Sequence, residues 1–127
     1  MYKAPDQSLY DELYSAITKA GFKVYQFLPN GKAGYPFVVF GLIQIIPRST
    51  RTRLLGNANV TLTVWGSSKQ RVKVSEIANE IFNLCSNLSR ERYQWYFNHD
   101  ASSIEVLQDN STQNELWRAE LSLAFKF

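Results

Sequence analysis

Apolar and polar residues alternate with a helical period in two parts of this chain. Over residues 6–20, Leu9, Leu13 and Ile17 recur at four-residue spacing, which predicts an amphipathic helix that follows Pro5 and ends before Gly21. A second helix is predicted over residues 70–88, where the apolar stripe consists of Val74, Ile77, Ile81, Leu84, Cys85 and Leu88. Each helix therefore has one apolar side to bury against a core.

A period of two residues marks the strands. Residues 57–66 and 117–127 alternate cleanly between apolar and polar side chains, as expected for strands with one buried face. Residues 35–46 are apolar on both faces, which predicts a central strand. Shorter strands are predicted at residues 22–28, 93–97 and 103–107, and a polar connection at residues 47–56.

The resulting order of elements, α-β-β-β-α-β-β-β, predicts an α+β fold. We expect a single domain over residues 1–127, with an antiparallel-rich sheet of five or six strands and two helices packed on one face. The composition, 45% hydrophobic and 20% charged, is typical of a globular protein. No apolar run approaches the length of about 20 residues that a membrane helix needs, so we expect a soluble, intracellular protein with no membrane partner.

Charge is distributed unevenly along the chain, although the net charge is only +3. Residues 13–75 contain nine basic and no acidic residues, whereas residues 76–127 have a net charge of −4. Two basic groups stand out: Arg48, Arg51 and Arg53 in the connection, and Lys69, Arg71 and Lys73 at the start of the second helix. They are interpreted as phosphate contacts of a nucleic-acid-binding module, as contacts to an acidic protein surface, or as an ordinary solvated face.

Candidate catalytic residues are few. His99 lies beside Asp100 at a predicted strand end, Cys85 lies on the apolar stripe of the second helix, and Glu76 and Glu80 are four residues apart among basic neighbours. A turn residue, a small core residue and surface charges are the better interpretations of these positions. With one His and one Cys, the sequence predicts no metal site of the common cysteine or multi-histidine kinds. It also contains no P-loop, GxGxxG or GxSxG motif, so we expect no cofactor and no enzyme.

Four segments together resemble one family of viral structural proteins. They are residues 35–41 (YPFVVFG), residues 60–66 (VTLTVWG), residues 74–81 (VSEIANEI) and the terminal strand at residues 117–127. Their order, and the passage from strand through Trp-Gly into a helix, resemble the tail-completion proteins of long-tailed bacteriophages, namely tail terminators and tail-to-head joining proteins. The likeness extends over nearly the whole chain. Head-completion and minor capsid proteins of the same gene cluster are alternatives.

The resemblance implies a structural role without catalysis. Such proteins form rings, commonly of six subunits, that end the tail tube and dock onto the head connector. The implied partners are further copies of this chain, the tail-tube protein and the head-connector protein. The implied location is the head–tail junction of the virion, after assembly in the host cytoplasm. Family interfaces use sheet edges and the loop between central strands, here residues 47–56 with Arg48, Arg51 and Arg53.

Aromatic residues supply the expected anchors of such an interface. Tryptophan is enriched where protein surfaces meet. Trp65 and Trp95 are the expected anchors because their strand faces are polar or mixed in character. Lys69 and Arg71 complete the predicted interface, because unlike basic and acidic patches orient neighbouring copies in a head-to-tail contact.

Overall fold

The computed structural model describes residues 4–26, 34–49, 54–88, 93–110 and 115–127 of the chain. Within these ranges two helices and six strands follow the predicted order, which confirms the α+β class. The helices are α1 (Pro5–Lys19) and α2 (Arg71–Leu84), and a 3₁₀ turn (Cys85–Asn87) follows α2. The strands are β1 (Val24–Tyr25), β2 (Phe37–Ser49), β3 (Leu54–Gly66), β4 (Tyr96–Phe97), β5 (Ser103–Asp109) and β6 (Leu116–Lys126).

The strands form one sheet in the order β1-β2-β3-β6, and both β4 and β5 pair with the far side of β6. β1 runs parallel to β2, and the other described pairs are antiparallel. The prediction that residues 35–46 form a central strand is confirmed at only one end of β2, which lies between β1 and β3. β1 pairs only with Val38 and Val39, so the rest of the outer edge of β2 has no partner among the described residues. The second apolar face of β2 is exposed instead, at Leu42 and Ile46.

The β2–β3 hairpin is longer than the sequence predicts. A polar connection was expected over residues 47–56, whereas β2 and β3 extend into it from both sides. Arg48 lies opposite Leu55 in the ladder. Backbone hydrogen bonds extend such a hairpin without apolar side chains, which explains why the apolar pattern ends before the strands do. Arg51 and Arg53 of the predicted loop lie outside the described residues.

Both helices pack on one face of the sheet, as predicted. The α1 stripe of Leu9, Leu13 and Ile17 is buried against the sheet. From the sheet, the buried side chains are Val38, Phe40, Ala58, Val60, Leu62, Val64, Ala119, Leu121, Leu123 and Phe125, and from α2 they are Val74, Ile77, Ala78 and Ile81. This side of the sheet is called the helix-covered face below. No described helix has both the length and the apolar character needed to cross a bilayer.

The two ends of β3 are fixed in different ways. At one end, Phe127 exchanges two backbone hydrogen bonds with Gly56, each 3.0 Å, so the chain terminus is held beside the hairpin. At the other end, Gly66 lies so close to α2 that a side-chain methyl group there would run into Val74. The sheet therefore ends at the last β2–β3 pair, Ser49 and Leu54, on one side and at the beginning of α2 on the other.

Candidate interaction surfaces

The described basic residues from the predicted interface lie at opposite ends of β3. Arg48 lies at the hairpin tip and is exposed, while Lys69 and Arg71 lie just after the other end of the strand. The eleven-residue step from Leu55 to Gly66 corresponds to about 36 Å of extended strand. The structure therefore does not bring the two basic groups together, and they occupy separate surfaces.

The basic corner at the start of α2 combines cations with apolar groups. The Arg71 guanidinium lies 5.3 Å from the centroid of the Trp117 ring, and the Trp117 indole N–H donates a 3.2 Å hydrogen bond to the Ser68 carbonyl. The first turn of α2 contains no acidic residue. Val72, beside Arg71, is 67% exposed. Cations at a helix N-terminus oppose the helix dipole, so this corner favours an anionic contact over a cationic one.

Trp65 lies on the face of the sheet that the helices leave open, called the helix-free face below. Its cross-strand neighbours are Phe37 on β2 and Arg118 on β6. The Arg118 guanidinium lies 5.8 Å from the centroid of the Trp65 ring, and the tryptophan is half-buried. Trp65 is thus accessible to a partner only in part, because its own chain already covers some of its ring.

Trp95 requires a correction, because it is a core residue and presents no ring at the surface. It is only 2% exposed and packs against Tyr93, Phe125 and Phe127, with ring centroids 5.6, 6.3 and 4.9 Å away. The strand beside it, β4, has two residues, which is too short for alternation to reveal a buried side. The aromatic anchor predicted at this position is therefore not available on the described surface.

A shallow groove on the helix-free face was not predicted from the sequence. Glu105 on β5 lies directly opposite Glu120 on β6. The groove around them has a volume of about 290 Å³ and is lined mainly by hydroxyl and carboxylate side chains: Thr61, Thr63, Ser103, Glu105, Glu120 and Ser122. The pairing of two glutamates depends on the β5–β6 register, which spacing along the chain does not reveal.

Arg118 compensates part of the negative charge around this groove. Its Nη1 atom lies 3.5 Å from Glu120 Oε1 and 3.6 Å from Asp109 Oδ2. Glu105 is exposed and has no ion-pair or hydrogen-bond partner in the described part of the chain. Of the two glutamates that line the groove, only Glu120 therefore has a described cation beside it.

The candidate catalytic residues lie apart from one another. Cys85 is buried in the core, and burial raises the pKa of its thiol from 9.0 to about 12. His99 is exposed in a 3₁₀ turn, with its ring 4.9 Å from that of Phe82. Glu76 and Glu80 lie on the exposed side of α2. Among the described residues, no three His, Cys, Asp or Glu side chains are grouped so as to hold a metal ion.

Among the comparisons with known proteins, the search of solved structures is the informative one. No protein-family model matches the chain, and no curated protein sequence matches it. The chain is similar in fold to a chain in the structure "Virion of native gene transfer agent (GTA) particle", with a TM-score of 0.67. That likeness covers 98% of each chain at 14% sequence identity. At this identity the likeness demonstrates a shared fold over the full length of both chains.

Proposed function

We propose that this chain is a structural protein of a phage-like virion, and that copies of it form a ring at the head–tail junction. In this role it ends the tail tube and joins the tail to the head connector. The observation that carries the proposal is the full-length fold likeness to a chain of a gene transfer agent virion. The order of elements and the strand-Trp-Gly-helix passage support the finer assignment to the tail-completion group.

Unpaired sheet edges support assembly. Beyond Val39, the outer edge of β2 has no described partner, and neither has the outer edge of β5. Free strand edges pair readily with another chain and in monomers are usually shortened or covered. The two edges are unlike in sequence, since the apolar stretch with Leu42 and Ile46 lies on β2 and the acidic residue Glu105 lies on β5. Two unlike surfaces on each copy are what a head-to-tail ring requires.

The surface area is sufficient for two neighbours. The chain exposes 7982 Å². Two contacts of about 800 Å² each, the standard size for one partner, cover about a fifth of that area. Large exposed hydrophobic residues are available for such contacts at Leu42, Ile46 and Val72. Apolar area then supplies most of the affinity, while charge orients the copies.

We also propose that the role involves no bond-making chemistry and no cofactor. A thiol whose pKa is raised to about 12, as at Cys85, provides almost no thiolate nucleophile at neutral pH. His99 has only its sequence neighbour Asp100 as an adjacent carboxylate in the 3₁₀ turn, and its ring packs against Phe82. The environments of Cys85 and His99 are therefore consistent with a protein that acts by assembly and not by catalysis.

Deletion of the gene from the phage-like element that encodes it tests the proposed role. The expected result is filled heads and separate tails in electron micrographs, with normal DNA replication, and joined particles again when the wild-type chain is supplied in trans. Tails of excessive length indicate a terminator, because tube subunits continue to add to a tube that is not capped. Tails of normal length with leaking heads indicate a head-completion protein instead. Joined, infectious particles in the deletion strain contradict the whole proposal.

Nucleic-acid binding is a second candidate function, favoured by the exposure of Arg48 and of the basic corner at Lys69 and Arg71. It predicts that affinity for duplex DNA falls steeply with salt, because each phosphate contact releases counterions. Replacement of one contacting arginine by alanine then lowers the slope of log affinity against log salt by about one. Absence of binding at low salt rules this candidate out.

A further inference from the structure

We propose that the helix-free face is an interface between copies of this chain, in which Arg48 of one copy lies between Glu105 and Glu120 of the next. This inference rests on the proposed function, because it assigns side chains to the contact that assembly of identical copies requires. It names the second copy as the occupant of the groove, on the basis of charge complementarity within one sequence.

The two glutamates of the groove are not fully compensated by described cations. Glu105 and Glu120 are directly opposite each other on β5 and β6, a position where like charges destabilise the strand pair. Arg118 lies 3.5 Å from Glu120 but also 3.6 Å from Asp109, so its single charge is divided. No described cation pairs with Glu105. A second cation between the two glutamates removes the repulsion that the isolated chain retains.

The lining of the groove suits a guanidinium group in particular. Beside the two glutamates, the groove of about 290 Å³ is lined by four hydroxyl residues, Thr61, Thr63, Ser103 and Ser122. A guanidinium has five N–H donors in a planar fork and no acceptor, so it matches a surface rich in acceptors. Hydrogen bonds from a guanidinium to carboxylates are among the stronger ones in proteins. An arginine side chain is therefore a better occupant than an apolar one.

Arg48 is the described arginine available to fill the groove. It is exposed at the hairpin tip and has no ion-pair or hydrogen-bond partner among the described residues. The alternation of β2 places it on the helix-free face, on the same side as Gln44 and Ile46. Arg71 and Arg118 are already engaged with Trp117 and Trp65.

The contact must lie between copies, because Arg48 and the two glutamates are too far apart within one chain. Arg48 pairs with Leu55 and Glu120 pairs with Thr63, so eight strand residues separate the two positions along the sheet. Together with the intervening strands, this is a separation of about 30 Å, well beyond the reach of a side chain. Arg48 of one copy must therefore approach the groove of another, and Leu42 and Ile46 on the same face add apolar area.

Cysteine cross-linking in assembled particles tests the contact. The double variant Arg48→Cys/Glu105→Cys is supplied to the deletion strain, and purified particles are oxidised with copper phenanthroline. The expected result is a ladder of disulfide-linked dimers and higher species, because the two cysteines of one copy are too far apart to join. The single variants are expected to give no ladder. The matched control Arg48→Cys/Glu80→Cys, whose second cysteine lies on exposed α2, is also expected to give none.

Charge reversal in the purified protein provides an independent measurement. Arg48→Glu and Glu105→Arg are each expected to weaken self-association in sedimentation at least about tenfold, and the double reversal to restore it. Circular dichroism of each variant checks that it is folded. No ladder from particles that contain the chain, or no restoration by the double reversal, overturns the contact. If the chain is absent from particles, the proposed location fails, and the sedimentation result alone decides the contact.

Discussion

On the helix-covered face of the sheet, Val60, Leu62 and Val64 of β3 are at most 1% exposed. The same strand presents Asn59, Thr61 and Thr63 on the helix-free face. The helix-covered face (the covered face) is closed by two helices. The helix-free face (the open face) carries a glutamate without a described partner, Glu105, and large exposed hydrophobic side chains. Side chains on the first face stabilise the fold of one copy, and those on the second are available to a neighbour.

The contrast implies that substitutions on the two faces affect different measurements. A change on the covered face creates a cavity or a clash and lowers the free energy of unfolding. A change on the open face leaves the core intact and affects association, if the face is an interface as proposed. Adjacent positions on one strand provide matched pairs for this comparison, because they differ mainly in which face they occupy.

Phe125→Ala is expected to have the largest effect on stability. The ring is 1% exposed and packs against Trp95 and Phe97, with centroids 6.3 and 5.4 Å away. Its removal leaves a cavity and is expected to lower the free energy of unfolding by about 3–5 kcal/mol in urea denaturation. The next residue, Lys126, is exposed on the other face, and Lys126→Ala is the control, with an expected change within about 0.5 kcal/mol. Equal losses in the two variants contradict the comparison.

Cys85 gives the covered face a dependence on alkaline pH. Burial raises the pKa of its thiol from 9.0 to about 12, so between these values the unfolded chain has lost the proton and the folded chain keeps it. Each pH unit in this window lowers the free energy of unfolding by about 1.4 kcal/mol, and below it the full stability is present. Between about pH 8 and about pH 11, the wild type is expected to lose about 2–3 kcal/mol more than Cys85→Ala. Equal losses in both proteins contradict the assignment.

Gly66→Ala tests the approach of α2 to the end of β3. The added methyl group runs into Val74, which is fully buried and stiff because it is branched at Cβ. Overpacking of this kind is expected to lower the free energy of unfolding by about 1–3 kcal/mol. In the double variant Gly66→Ala/Val74→Ala the clashing group is absent. The Gly66→Ala change is therefore expected to lower the free energy of unfolding less in the Val74→Ala protein than in the wild type. An equal cost in both backgrounds rules out this contact as the cause.

The parts of the fold that the sequence predicted are those whose pattern repeats over many residues. The four-residue stripe of Leu9, Leu13 and Ile17 and the eleven-residue alternation ending at Phe127 each repeat often enough to identify an element and its buried side. These elements need only local information, because each carries its own apolar pattern. The order of helices and strands, and the packing of both helices on one face, follow from them.

The parts that the sequence did not predict depend on neighbours in space. β2 is apolar on both faces, yet only two of its residues have a partner on the outer side, because β1 is so short. Trp95 precedes a two-residue strand, so no alternation indicates its burial. Glu105 and Glu120 are fifteen residues apart in sequence and become neighbours only through the β5–β6 register. The proposed interface groove is therefore a property of pairing.

The smallest stability effect is expected on the open face of β2 itself, where Leu42 is 59% exposed. Leu42→Thr keeps the backbone N–H that donates a 2.8 Å hydrogen bond to Thr61 Oγ1, and is expected to change the free energy of unfolding by no more than about 0.5 kcal/mol. Val38→Thr is the matched variant on the covered face of the same strand. There a buried hydroxyl replaces a methyl group, and a loss of about 1–3 kcal/mol is expected. If Leu42→Thr is the more destabilising of the two in urea denaturation, Leu42 stabilises the single chain. That outcome would contradict the proposal that Leu42 is exposed in order to contact a neighbouring copy.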